Sequence, residues 1–319
     1  MKLDHPAHVP LAVQSRGDLV ESVHYGSLVA IGVAGDTLLS RGEPTARMYP
    51  RSALKPLIAV AMLRGGLELT PQQLALASAS HSGAADHQAV AAGILAGAGL
   101  GPDSLRNSTD LPYGVAERAA WLAAGKGATQ LAQNCSGKHA ALLATCVHNG
   151  WPVESYLDHG HPLTALIRRT VSELTGEEIT VISTDGCGTE VFALSLAGMA
   201  RAFSTLATAA PGTEEGQVAA AMRAYPTMVA GVGRDVTGLM AAVPGLIAKD
   251  GFEGIQVIAL ADGRALALKI SDGGDRARLP AAVPALLALG LDPQALAPFN
   301  MLDVFGGGRP VGALQGLPF

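Results

Sequence analysis

"IQVIALADGRALALKIS", residues 255–271, carries the reading of the fold. Two apolar runs rich in Ile, Val and Leu flank Ala-Asp-Gly-Arg, and Asp-Gly is a dipeptide that tight antiparallel turns favour. The stretch therefore reads as a β-hairpin. A second hairpin stands near the N-terminus, where "LVESVHYGSLVAIGV" (19–33) and "DTLLSRG" (36–42) meet at "VAGD". Between them the apolar period changes from two to 3.6. "SALKPLIAVAMLRGG" (52–66), "ADHQAVAAGILAGAG" (85–99), "GKHAALLATCVHNG" (137–150), "PLTALIRRTVSELTG" (162–176) and "TEEGQVAAAMRAY" (213–225) read as helices, most of them stopped by glycine. A short strand, "ITVIST" (179–184), precedes "DGCGTEVFALSLAGMARAF" (185–203). The expectation is an α+β chain. One antiparallel sheet is built from N- and C-terminal strands and flanked by helices. A helical lobe over roughly residues 52–250 is inserted between the sheet segments of a single 319-residue domain.

Bulk composition narrows the function. The chain is 49% hydrophobic and 15% charged, the balance of a compact globule and the reverse of a disordered chain. Net charge is −5 and no basic run occurs, so nothing replaces phosphate counterions on a nucleic acid. Aromatics at 4% give no stacking platform for single strands. The most apolar stretch, "AVAAGILAGAGLG" (89–101), is too short and glycine-rich to span a bilayer. "MKLDHPAHVP" at the N-terminus has no apolar h-region, which predicts a cytoplasmic protein. Three cysteines, Cys135, Cys146 and Cys187, do not form a disulfide framework.

"RSALKP" (51–56) places Lys55 one helical turn after Ser52. Serine is inert until a base takes its proton, and a lysine whose pKa is depressed by burial or nearby cations can be that base. The same residues also suit an N-cap serine followed by a lysine whose stem lies along apolar surface. "SASHSG" (78–83) is either a hydrophilic turn or a loop that presents a hydroxyl inward. "ALKISDGG" (267–274) puts Lys269 on an otherwise apolar strand, facing outward or into a cleft. Ser-x-x-Lys, then a serine loop, then a lysine on a late strand is the chain order of penicillin-recognising serine enzymes.

"NCSGKHAALLATC" (134–146) gathers Cys135, Lys138 and His139 at a helix entry, and "STDGCGTE" (183–190) puts Asp185 and Cys187 on a glycine turn. Two thiolates from separate loops can hold zinc, but tetrahedral zinc takes four ligands and no repeated CxxC occurs. A lysine ligand must first lose its proton. Buried, inert cysteines are the competing reading.

Together, "ESVHYGSLVAI", "RSALKP", "SASHSG", "NCSGKHAALLATC", "STDGCGTEVFALSLAGMARAF" and "ALKISDGG" resemble, in order, the L-asparaginases of the Rhizobium etli type. The resemblance implies the fold of serine β-lactamases and glutaminases, a homodimer, and hydrolysis of L-asparagine to L-aspartate and ammonia. It implies Ser52 as nucleophile with Lys55, and Ser80 with Lys269 as a second serine–lysine dyad. It further implies one zinc ion on Cys135, Lys138 and Cys187, completed by water, and Asp185 orienting the substrate's α-amino end. The stretch between Ser52 and Ser80 is about four residues shorter than the family pattern, which leaves Ser82 as an alternative to Ser80.

Rivals are a glutaminase, one methylene away and worth only about 1–3 kcal/mol of discrimination, and a β-lactamase or penicillin-binding peptidase. "SHS" and "KIS" stand where the last two would carry Ser-Asp-Asn and Lys-Thr-Gly. A non-catalytic amino-acid-binding protein would be expected to have lost a member of a dyad, and here both are intact. "GVGRD" (231–235) and "GGGRP" (306–310) read as glycine turns without the frame of a nucleotide fingerprint.

Overall fold

A computed structural model of the chain describes residues 6–319; residues 1–5, half of the stretch read for a leader, lie outside the described residues. Ten strands occur among them. They are β1 (Val9–Arg16), β2 (Leu19–Ile31), β3 (Thr37–Arg41), β4 (Ile182–Thr184), β5 (Glu190–Phe192), β6 (Ile247–Gly251), β7 (Ile255–Ala259), β8 (Ala265–Ile270), β9 (Met301–Gly306) and β10 (Arg309–Gly316). The helices are α1 (Lys55–Arg64), α2 (Pro71–Ala77), α3 (Ala85–Gly97), α4 (Val115–Ala123), α5 (Ser136–Asn149), α6 (Pro162–Thr175), α7 (Leu196–Thr208), α8 (Glu214–Ala224), α9 (Pro226–Val229), α10 (Asp235–Ala242), α11 (Arg278–Ala288) and α12 (Pro293–Asn300). The chain is α+β, and its contacts divide it into two compact units.

Among the described residues, the sheet unit comprises 6–53, Leu194–Thr208 and Gly238–Phe319. Eight strands form one antiparallel sheet in the order β6-β7-β8-β2-β1-β10-β9, with β3 added to β2. Both expected hairpins are present, β2 with β3 and β7 with β8. They join through β2 and β8, in a register that sets Ser27 opposite Lys269. Every residue of β7 is buried, because α7 and α11 both pack on β7 and β8. Leu266 and Leu268 in β8 are fully buried, each worth about 1.5–3 kcal/mol relative to exposure. Strands β1, β6, β9 and β10 are additions to the expected sheet. The "GGGRP" turn links β9 to β10, with Gly307 and Gly308 left-handed, and Pro310 stands beside a register shift where a missing N–H is tolerated.

The helical unit comprises Leu54–Ala193 and Ala209–Thr237. Both segments fall within residues 52–250. Leu196, Met199, Phe203 and Leu206 form a buried stripe at helical spacing along α7, and that stripe lies on β2, β7 and β8, so α7 belongs with the sheet. Within the helical unit, β4 and β5 pair as a short hairpin whose turn holds Asp185 and Cys187. Helix α5 approaches α2 closely at Gly137: a Cβ there would lie 2.4 Å from Leu76 Cγ and 2.8 Å from Leu76 O. Glycine at this position lets the first turn of α5, with Lys138, sit against the end of α2 and the loop that follows it.

Candidate active site

Ser52 lies in a 3-10 turn, Arg51–Leu54, that runs straight into α1. The N-cap of α1 is Leu54 with no side-chain cap bond, so Ser52 is not the cap of that helix. It is buried, at 4% exposure. Arg51, immediately before it, has a φ of +52°, a strained value for a non-glycine residue.

Lys55, the first residue of α1, is 1% exposed. Its Nζ donates to Ala79 O at 2.7 Å, to Ser80 Oγ at 3.0 Å and to Cys135 Sγ at 3.0 Å. These three contacts fix the position of the Lys55 nitrogen. They bring Lys55 and Ser80 together from the two ends of the α1–α2 segment.

The "SASHSG" loop is buried along its whole length. Ser80 N–H donates to Val229 O, His81 N–H to Asn134 O and Ser82 N–H to Ala230 O, so the backbone is fixed from two sides. This loop presents the Ser80 hydroxyl to Lys55. Ser82 Oγ, the alternative to Ser80, instead donates to Glu117 Oε1 at 2.8 Å. Gly83 N–H donates to His81 Nδ1, leaving Nε2 to carry the proton and donate to Ser136 Oγ at 3.0 Å. Burial, then His87 and Lys55, hold His81 far below the ordinary imidazole range, so its ring is neutral.

Cys135, Lys138 and Cys187 converge beside this pair. Lys138 is 1% exposed, and its Nζ donates to Cys187 Sγ at 3.1 Å and to Thr189 Oγ1 at 2.7 Å. A hydrogen bond from the Cys135 thiol holds Cys187 well below the usual thiol range against the opposing effect of burial, and Lys138 adds to it. The same bond, together with burial, pushes Cys135 well above that range. Burial would lower Lys138, but the two sulfurs and Asp185 outweigh it and keep the amine protonated. His139 Nδ1 meets Tyr156 OH at 2.8 Å, and the ring also lies within hydrogen-bonding reach of the Cys187 sulfur. Burial and Lys138 draw that ring down to about 4.

Among the described residues, no group of three or more His, Cys, Asp and Glu side chains is arranged to hold a metal ion. The lysine is what extends the set: two sulfurs in mutual contact plus Lys138 Nζ form an S₂N group, one ligand short of a tetrahedral site. The donor chemistry fits zinc, once Lys138 and Cys135 give up their protons. Asp185 is half-buried in the β4–β5 turn, where its Oδ1 accepts from Gly186 N at 2.9 Å.

Thr189 and Tyr156 had no motif to announce them. Thr189 stands two residues beyond Cys187 in the same turn, with its Oγ1 3.3 Å from the Cys187 sulfur.

Lys269 belongs to the sheet unit and lines a cavity of about 710 Å³ with Tyr25, Ser27, Glu43, Arg47 and Ser271. Its Nζ donates to Glu253 O and, at 2.8 Å, to Ile270 O.

Residues 12–316 match the family model described as L-asparaginase II. No curated protein matches the chain. A β-lactamase from Mycobacterium bovis aligns with a TM-score of 0.43 at 13% identity, covering 78% of this chain and 88% of that one. A hydrolase with promiscuous acyltransferase activity, EstCE1, aligns with a TM-score of 0.41 at 14% identity, covering 77% and 88%. At these scores the likeness adds nothing to the fold class, which rests on this chain's own strand order. With nearly its whole length matched, the chain belongs to the L-asparaginase II family of amide hydrolases.

Proposed function

We propose that the chain hydrolyses L-asparagine through a serine acyl-enzyme, with Ser52 and Lys55 as nucleophile and base and with Ser80 and Lys269 moving the proton. The observation that carries this reading is the buried contact between Lys55 Nζ and Ser80 Oγ at 3.0 Å. Neutral Lys55 takes the Ser52 Oγ proton as the oxygen attacks the side-chain carbonyl carbon. Backbone N–H groups near Ser52 hold the oxyanion. The C–N bond then breaks, and the departing nitrogen takes a proton relayed by Lys55 and Ser80, with Lys269 as the second lysine, leaving as ammonia. Water reverses the sequence: it gives a proton to the same relay, attacks the acyl carbon and releases aspartate, returning Ser52 to its hydroxyl form. Ser80 suits a relay because a hydroxyl donates and accepts at once.

Cys135, Lys138 and Cys187 are the residues that would hold zinc, with Thr189 and Asp185 beside them. Bound to two thiolates, such an ion supplies little Lewis acidity and serves to fix the α5 entry and the β4–β5 turn. Asp185 meets the substrate's ammonium. The resemblance to the Rhizobium etli type further supports a homodimer. Among the described residues, no helix is long and apolar enough to cross a membrane.

Covalent trapping tests the assignment. A diazoketone analogue of asparagine should label the tryptic peptide that contains Ser52, as read by tandem mass spectrometry. Labelling of Ser80 with Ser52 unmodified would transfer the nucleophile's role to Ser80.

A further inference from the structure

Two non-glycine residues among those described have left-handed backbones, Arg51 at φ +52° and Glu253 at φ +67°. The first adjoins Ser52. The second lies in the turn 252–254 between β6 and β7, followed by Gly254 at φ +70°. Turns with consecutive left-handed residues favour Asn, Asp or Gly at both positions. "FEGI" carries glutamate where that preference is unmet, and such a residue persists only where its surroundings hold it.

Those surroundings converge on Lys269. The Glu253 carbonyl accepts from Lys269 Nζ, a contact that the left-handed backbone makes available. The Glu253 carboxylate lies over Gly273 in the segment after β8, where a Cβ would stand 2.4 Å from Oε2. Gly254 O accepts from Ile270 N–H at 2.9 Å, which ties the turn to the end of β8. We propose that Glu253 is the positioning residue of Lys269: its strained backbone turns a carbonyl onto Nζ, and its carboxylate sets how readily that amine gives up its proton.

The charged neighbours of Lys269 divide by sign. Burial lowers its pKa; Glu253, Asp272 and Asp275 favour the ammonium, and Arg51 opposes it. The cavity that Lys269 lines adds His8, Tyr25, Glu43 and Arg47. Removing the Glu253 charge leaves burial and Arg51 less opposed, so Lys269 must deprotonate at lower pH.

The value of this device to catalysis rests on Lys269 acting in the reaction, but its test does not. The chain has only six lysines, so the 13Cε resonances of labelled lysine can be followed individually, with Lys269→Arg assigning the signal. Glu253→Gln should lower the Lys269 midpoint by about half a pH unit or more, and the limb of the kcat/KM profile governed by Lys269 should move in the same direction. Glu253→Gly keeps the left-handed turn and should give the same shift with an unchanged or higher Tm. An unmoved midpoint in both folded variants overturns the inference. Asparagine turnover by Lys269→Met at the wild-type rate would instead overturn the catalytic role of Lys269, while the titration still decides its tie to Glu253.

Discussion

Replacing Lys55 with methionine separates catalysis from stability. The Lys55 side chain is buried and makes three hydrogen bonds, to Ala79 O, Ser80 Oγ and Cys135 Sγ. Methionine deletes all three and leaves Ala79 O as a buried acceptor without its donor, at about 1–3 kcal/mol. Against that loss, a buried ammonium no longer has to be desolvated, and replacing a buried charge with an apolar side chain of similar volume is often neutral or stabilising by about 1–4 kcal/mol. The two effects oppose each other and leave a net change within about 2 kcal/mol. Catalysis has no such offset. Loss of a positioned base costs about 10²–10⁴-fold, and loss of a nucleophile's activator acting as part of a unit reaches about 10⁶-fold. A thousand-fold loss corresponds to about 4 kcal/mol of barrier. The expected outcome is a rate of ammonia release at least 10³-fold lower, with a Tm within a few degrees of wild type by differential scanning fluorimetry. A folded Lys55→Met variant that retains a tenth or more of wild-type activity would refute the role given to Lys55.

Three further outcomes follow from the geometry. Ser80→Ala takes an acceptor from Lys55 and should abolish measurable turnover, whereas Ser82→Ala, which frees only Glu117 from its hydrogen bond, should leave kcat within about three-fold; steady-state kinetics on both variants decides. Gly137→Ala forces a methyl group to within 2.4 Å of Leu76 Cγ and should destabilise by about 1–3 kcal/mol, read as a lower urea midpoint at unchanged slope. Wild-type protein purified without chelator should carry about one zinc ion per chain by mass spectrometry of the metal, and Cys187→Ser should carry well under half of that. A metal-free wild type after dialysis against zinc would contradict the ligand set.

Where the sequence was legible, local chemistry and global placement agreed. The hairpin at 255–271 was announced by Asp262-Gly263 between apolar runs, and the helix after Ser52 by its periodicity and the Gly65-Gly66 stop. Strands β9 and β10 escaped notice because glycine and Pro310 interrupt the apolar pattern that marks a strand; their pairing with β1 supplies what local propensity lacks. The packing partner of α7 was illegible for a related reason. The stripe on α7 says that one face is buried but not against what, and only the tertiary contacts assign it to the sheet. At the site, Ser52, Lys55 and Ser80 were readable as types at spacings. Which serine faces Lys55 was not, because Ser80 and Ser82 both lie in a buried loop and share a strand-like parity. The backbone bonds to Val229, Ala230 and Asn134 settle it. Glu253 was not legible, since half of its proposed contribution runs through a carbonyl oxygen that every residue possesses.

The account's central claim is a serine-dependent asparaginase, and ammonia release from L-asparagine by the wild type and by Ser52→Ala, compared at equal folded concentration, tests it most directly. The account predicts turnover by the wild type and a loss of several orders of magnitude in the variant. A Ser52→Ala protein that stays within a few-fold of the wild type would contradict it.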